Sequence, residues 1–496
     1  MELGRSLGKE FCRQGADRAM TDFGCGFNTV QDPVWTLSQV LIATGGRFAG
    51  GPSNAKFRTI STDSRTLQPG DLFLALSGER FDGQLFIAEA IRKGASGVIV
   101  SAQPETPLPV PVILVADTLR ALGDLAAYRR ALMPNLQVLA LTGSSGKTTV
   151  KEMCAAILRL EYNILKTEGN LNNLIGLPLT LLRVDCRHDV ALLEMGMNRP
   201  GEIARMTEIA DPDIACIVNI QGAHLAGLHN IEGVAQAKGE LFRGGKTWAR
   251  FCVNIDDSRV RALARECPQE QILFGLGRKA AVRATHVRNL GEDGMLFSLH
   301  VGARKQRVQL HALGEHNVGN ALAAAAMAHA AGVEMDQIAA GLGEFRPYDK
   351  RLQVLTIGGL KVVNDCYNAN PSSMLAALNT VRGMKKNAKT VAVLGDMLEL
   401  GSDSDREHRR LGETVACKGF DYLFSVGEFS RKMVEGALDA SMTMKQARQM
   451  EGKEEVVEAI VKLVALGELQ RGDYILIKGS RGMRMETIIE QLGNRL

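Results

Sequence analysis

Hydrophobic patterning begins near Val34; the 33 residues before it carry no continuous apolar stretch. From there to about residue 134 the pattern predicts a small α/β unit. It has a strand over residues 71–76, a helix over 84–93 closed by Gly94, and a strand over 98–100. Pro104, Pro107, Pro109 and Pro111 mark a surface connection, since proline has no N–H to give a ladder. From about 135 to 345 the texture changes to short apolar runs at 138–141, 190–193, 214–218 and 251–253, each ending in polar or glycine residues. A strand buried on both faces has no polar alternation, so runs of this kind between helical segments predict a mainly parallel sheet. A third series, at 362–363, 391–394, 423–426 and 475–477, begins near 352.

The chain of 496 residues is too long for one core, and about 150 residues per domain gives roughly three. The expected division is an extension at 1–33, then domains at 34–134, 135–345 and 346–496, all of α/β class. Hydrophobic residues at 45% and charged ones at 23% exclude disordered and collagenous chains. No apolar run approaches the ~20 residues that cross a bilayer, so no membrane partner is expected. The 59 basic and 55 acidic residues leave +4, too little to argue for nucleic acid, and any polyanion must be held at a local site. Nine cysteines, odd in number and without a Cys-x-x-Cys pair, read as the reduced thiols of a cytoplasmic protein. Glu2, Glu10, Asp17 and Asp22 argue against a secretory or transit peptide in residues 1–33, which read as a loose extension or an early start codon.

The runs share a feature: Thr142-Gly143, Glu194, Asp365, Asp396 and Lys478 each follow one directly or after a single residue. In open α/β sheets, ligands lie beyond the carboxyl ends of strands. After the run 138–141 comes TGSSGKTT, whose Gly143, Ser144, Ser145 and Gly146 let backbone N–H groups approach phosphate oxygens. Lys147 can reach the β- and γ-phosphates, and Thr148, followed by Thr149, can offer its hydroxyl to Mg²⁺. A plain glycine turn between strand and helix is the alternative. Glu194 closing a buried run must be exposed, paired or bound to metal. In IEGVAQAKGELF, Lys238 falls on the apolar stripe of Ile231, Val234, Ala235, Leu241 and Phe242, so it must snorkel, pair or be functional. His224 is read as a loop histidine, Asn317 and Asn320 as one face of an alanine-rich helix. Asp365, Tyr367, Asn368 and Asn370 form a polar loop that serves a ligand or caps the helix begun by Pro371.

Taken together, TGSSGKTTVKEM, TEGNLNNLIGLP, LLEMGMN, AHLAG, AKGELF, GEHNVGNALAAAA, NDCYNANPSSM and LIKGSRGMRME resemble the motif series of the Mur ligases from about residue 34 to the C-terminus. TDSR, GDLFLALSGERFDG, DCYNANP and KGSR narrow the resemblance to the branch that adds D-alanyl-D-alanine to UDP-N-acetylmuramoyl-tripeptide. The resemblance implies a UDP-substrate domain, a central P-loop ATPase-like domain and a C-terminal Rossmann-like domain. It implies ATP and Mg²⁺, two ions expected, as cofactors. Lys147 and Thr148 would serve the phosphates and metal, with Glu194, His224 and a carbamylated Lys238 as further metal ligands. Asn317, Asn320, Arg351, Asp365 and Asn370 would contact nucleotide. Ser64, Asn172, Asn173, Tyr367 and Lys478 would contact substrate. A monomer is expected.

Two departures stand out. Asp82-Gly83-Gln84 replaces the family's usual His-containing turn, and Tyr348-Asp349-Lys350-Arg351 its Pro-x-Gly-Arg hinge. The alternatives are a folylpolyglutamate-synthase-like ligase, disfavoured by the domain preceding the phosphate loop, and a non-ligating nucleotide switch, disfavoured by the lack of an Asn-Lys-x-Asp motif.

Overall fold

The computed structural model describes residues 34–78, 81–222, 225–228, 230–347, 350–384 and 387–496. The expectations for residues 1–33, for His224 and for Tyr348-Asp349 therefore lie outside the described residues. The chain forms two compact units, one from the segments up to Ala140, Tyr162–Met195 and Ala204–Pro212, the other from Leu141–Glu161, Gly196–Ile203 and Asp213–Leu496.

In the first unit, five strands run in the order Arg47–Gly50, Val112–Leu114, Gly97–Val100, Leu72–Leu74, Ile60–Ser61, all parallel but the first. Phe73, Val98 and Val100 from the strands pack on Ile87 and Ala90 of a helix. That helix is shorter than the periodicity predicts. Asp82 accepts the Gln84 N–H, so the segment starts as a 3₁₀ turn, Gly83–Phe86, and becomes α-helical only over Ile87–Arg92. Gly94, at φ +95°, closes the helix as expected. The strands Ile164–Lys166 and Val190–Glu194 pair in parallel, and Glu194 is the last residue of its strand rather than the first beyond it.

Strand β1 (Gln137–Thr142), buried at five of its six positions, feeds the phosphate loop and helix α1 (Lys147–Leu158). In the second unit, β2 (Ile214–Ile217) pairs in parallel with Arg250–Asn254 and that strand with Glu270–Gly275. Helix α2 (Ile231–Arg243) carries Lys238 and α3 (His316–Ala330) the two asparagines. An antiparallel extension, Val282–Asn289, Met295–Val301 and Arg304–Leu310, completes the mainly parallel sheet. Its middle strand alternates buried and half-buried positions, the mark of a sheet with one wet face.

The C-terminal region of this unit is a six-stranded sheet. Its order is Gln353–Ile357, β3 (Leu360–Asp365), β4 (Tyr474–Lys478), Thr390–Gly395, Tyr422–Val426, Ala447–Met450, parallel except for the first strand. Apolar layers cover both faces, one around Met374, Leu378 and Leu394, the other around Val362, Ile475 and Ile488. The last strand in sequence, β4, inserts beside β3, so Asp365 and Lys478 come into register at adjacent strand ends. Helix α4 (Glu486–Arg495) follows. Among the described residues no helix is long and apolar enough to cross a membrane.

Candidate active site

The loop after β1 is held open by the end of β2. Asn219 Oδ1 accepts the backbone N–H groups of Ser144 (3.1 Å) and Ser145 (3.0 Å), while its Nδ2 donates to the Ser145 carbonyl (3.0 Å). Gln221 completes the brace: the Ser144 hydroxyl donates to its carbonyl and that of Ser145 to its side chain, each at 2.8 Å. Lys147 Nζ donates to the Gly143 carbonyl at 2.8 Å, curling back over the loop that it would serve. Thr148 is buried and Thr149 half-buried in the first turn of α1. Gly146 adopts φ +78°, and a Cβ there would stand 2.3 Å from Asn320 Oδ1, so only glycine fits. Asn320 Nδ2 donates to Asn317 Oδ1 and Asn317 Nδ2 to the Leu313 carbonyl, both at 2.8 Å. Helix α3 thus packs its asparagine pair against the phosphate loop.

Beside this loop lies a cavity of about 410 Å³ lined by Asn219, Gln221, Asn254, Asp257, His316 and Asn320. Burial, with the Lys478 cation, pushes the His316 imidazole down to about 4, so it is neutral at pH 7. The sequence reading names none of Asn219, Gln221, Asp257 and His316. Asn219 follows a strand run by one residue, and the strand-end rule would have found it had it been applied to uncharged residues.

Lys238 is 1% exposed on the inner face of α2. Burial lowers its pKa well below the ordinary lysine value, and the nearby Lys147 cation lowers it further. Thr148, Lys147 and Lys238 all belong to the second unit.

In the first unit Glu194 is 2% exposed at its strand end, where Asn172 Nδ2 donates to its Oε1 at 2.9 Å and the Thr167 hydroxyl accepts its backbone N–H. Asn173 Oδ1 accepts the N–H groups of Ile175 and Gly176, opening a helix. Ser64 is buried, its hydroxyl 3.3 Å from Glu89 and its carbonyl accepting from Lys93.

The ends of β3 and β4 form a charged cluster. Lys478 Nζ, buried, donates to Asp365 Oδ2 at 2.6 Å and to the Asn368 carbonyl at 2.9 Å, and Asp365 Oδ1 accepts the Leu352 N–H. Burial raises the Asp365 carboxyl, opposed by Lys478 and Arg351. The Arg351 guanidinium lies 4.1 Å above the Tyr367 ring. Asn370 Oδ1 accepts the Ser373 N–H, capping the helix after Pro371. Lys350, where the family's hinge glycine would stand, takes φ +61° and donates to Glu486 Oε1 at 3.0 Å. Arg481 Nη1 meets the same oxygen at 2.5 Å. Burial would raise the Glu486 carboxyl, but its own backbone N–H, Lys350 and Arg481 hold it at about 2.

Among the described residues no three His, Cys, Asp or Glu side chains gather where they could hold a metal.

Comparison with known proteins accords with this geometry. The Mur ligase family catalytic domain matches residues 56–130, the Mur ligase middle domain 141–328 and the Mur ligase glutamate ligase domain 350–481. The UDP-N-acetylmuramoyl-tripeptide–D-alanyl-D-alanine ligase of Bacillus subtilis (strain 168) is 36% identical over 436 residues, covering 87% of this chain and 92% of its own. A crystal structure of MurF from Acinetobacter baumannii superposes with a TM-score of 0.87 at 36% identity, covering 94% of this chain and all of that one. MurF ligase from Thermotoga maritima in complex with ADP gives 0.78 at 26% identity, covering 88% and 97%. A Mycobacterium tuberculosis folylpolyglutamate synthase, 17% identical with a TM-score of 0.58 over 76% of this chain, shares the fold alone. The chain belongs to the Mur ligase family.

Proposed function

We propose that this protein is an ATP-dependent, ADP-forming ligase that joins D-alanyl-D-alanine to UDP-N-acetylmuramoyl-tripeptide in the cytoplasm, acting as a monomer in peptidoglycan precursor synthesis. The observation that carries the reading is the braced phosphate loop of β1 and α1, with Lys238 buried on α2 in the field of the Lys147 cation. The proposed domains are 34–134 for the UDP-substrate, 135–345 for ATP and 346–496 for completing the ligase site.

A carboxylate is a poor acyl donor because oxide does not leave at neutral pH. ATP therefore phosphorylates the tripeptide's terminal carboxylate, and the dipeptide amine then displaces phosphate from the acyl phosphate through a tetrahedral intermediate. The first step brings two anions together, so positive charge must be fixed where they meet. Lys147 supplies part of it, and the loop N–H groups from Gly143 to Thr149 receive phosphate oxygens. The cavity beside the loop takes the nucleoside, with Asn320 at its edge and Asn317 bonded to it, and Arg351, Asp365 and Asn370 complete the nucleotide contacts. Ser64 serves the uridine end, and Asn172, Asn173, Tyr367 and Lys478 the peptide end.

The residues present fit Mg²⁺ on one condition. Burial and the nearby Lys147 cation both lower the Lys238 pKa, which favours its neutral amine; that amine can add to CO₂, lose a proton and become a carbamate anion. Carbamylated Lys238 with Thr148, Glu194 and His224 would then hold Mg²⁺, which neutralises developing phosphate charge. The ligase reading predicts that ADP and phosphate appear only with both UDP-N-acetylmuramoyl-tripeptide and D-alanyl-D-alanine present, and that Lys147→Ala abolishes them. Turnover without the dipeptide, or with a folate in place of the UDP-substrate, would contradict it.

A further inference from the structure

The cluster beyond β3 and β4 sets four cations, Lys350, Arg351, Lys478 and Arg481, against two carboxylates, Asp365 and Glu486. Their engagement differs. Lys478 is buried and committed to Asp365 and the Asn368 carbonyl. Arg351 lies over the Tyr367 ring. Lys350 and Arg481 share a single oxygen of Glu486, so one of the two is in excess of the charge it neutralises.

The exposed partner is Arg481, its side chain 58% accessible against 27% for Lys350. It is the third residue beyond β4, at the point where strand order reverses and open α/β sheets place ligands. Glu486 takes only Nη1, leaving the rest of a planar fork whose spacing matches a carboxylate.

Of the substrates in the reading above, on which this inference rests, the dipeptide must keep its amine free for attack. Its C-terminal carboxylate is then the one fixed charge by which it can be held. We propose that Arg481, aimed by Glu486, receives the C-terminal carboxylate of the incoming D-alanyl-D-alanine and so selects dipeptides with a free C-terminus.

The test is steady-state kinetics of the full chain with D-alanyl-D-alanine and with D-alanyl-D-alaninamide, which lacks the charge. Wild type is expected to favour the carboxylate by about 10- to 100-fold in kcat/KM, the range of a charge-assisted hydrogen-bonded pair. Arg481→Ala should raise KM for the dipeptide by a similar factor and abolish the preference over the amide, with the KM values for ATP and the UDP-substrate unchanged; Arg481→Lys should retain part. An Arg481→Ala enzyme that melts with wild type yet keeps the preference would overturn the assignment. So would a rise in the KM for ATP instead. A wild type that ligates both peptides equally overturns it too, with the ligase reading intact. Failure to turn over either peptide would remove both.

Discussion

Lys238 is legible in the sequence because burial follows helical period: seven residues after Ile231, it had to lie on the inner stripe of α2, and it does. Its chemistry gives a prediction. Lys238→Ala should lose activity and regain part of it when short carboxylic acids fill the space of the carbamate, read by phosphate release; full activity in the mutant would refute the carbamate. Asn173 and Asn370 show where reading residues stops. Each caps a helix through Oδ1, and a cap and a ligand contact ask for the same residue at the same helix start. His316 carries a pH prediction. The unfolded chain takes its proton near 6.5 and the folded chain only near 4, so stability falls as pH drops through that window and no further below it. The full effect is roughly 3 kcal/mol. His316→Gln should flatten the wild-type decline between pH 6.5 and 4 in urea melts; parallel curves would contradict this.

At the level of elements, the parallel strands were readable because both their faces are buried and their runs are continuous. The antiparallel extension was not, because its alternating positions have no continuous run for that criterion to find. The phosphate loop was readable as a string, but its brace was not, since Asn219 lies 75 residues from Ser144. Asn219→Ala removes the side-chain acceptor shared by the Ser144 and Ser145 N–H groups, of which Ser144 alone keeps a second acceptor in the Asn219 backbone carbonyl. The expected result is an ATP KM raised about 10-fold with stability lowered by about 1–3 kcal/mol, checked by kinetics and thermal melts. The substituted hinge also makes sense as an element. Lys350 and Leu352 both take positive φ, the first offset by its pair with Glu486 and the second by a bond to Asp365. Lys350→Ala keeps the strained backbone and loses the pair, whereas Lys350→Gly loses both pair and strain. The alanine variant should therefore be the less stable of the two, by about 1 kcal/mol.

Over the whole molecule, the proposed chemistry draws on residues far apart in sequence: the loop at 142–149, the lysine at 238, the asparagines at 317 and 320, and the ends of two C-terminal strands. Family motifs made these positions visible before any contact was known, whereas composition said only that a polyanion must be held locally. What the motifs could not supply is which cation neutralises which carboxylate, because the pairing of Lys350 and Arg481 with Glu486 depends on β4 inserting between strands that precede it in sequence. The central claim is that ATP activates a carboxylate by phosphorylating it, and oxygen tracing tests this directly. With UDP-N-acetylmuramoyl-tripeptide labelled with ¹⁸O at its terminal carboxylate, the account predicts one labelled oxygen in the phosphate released at each turnover; phosphate free of label during amide formation would contradict it.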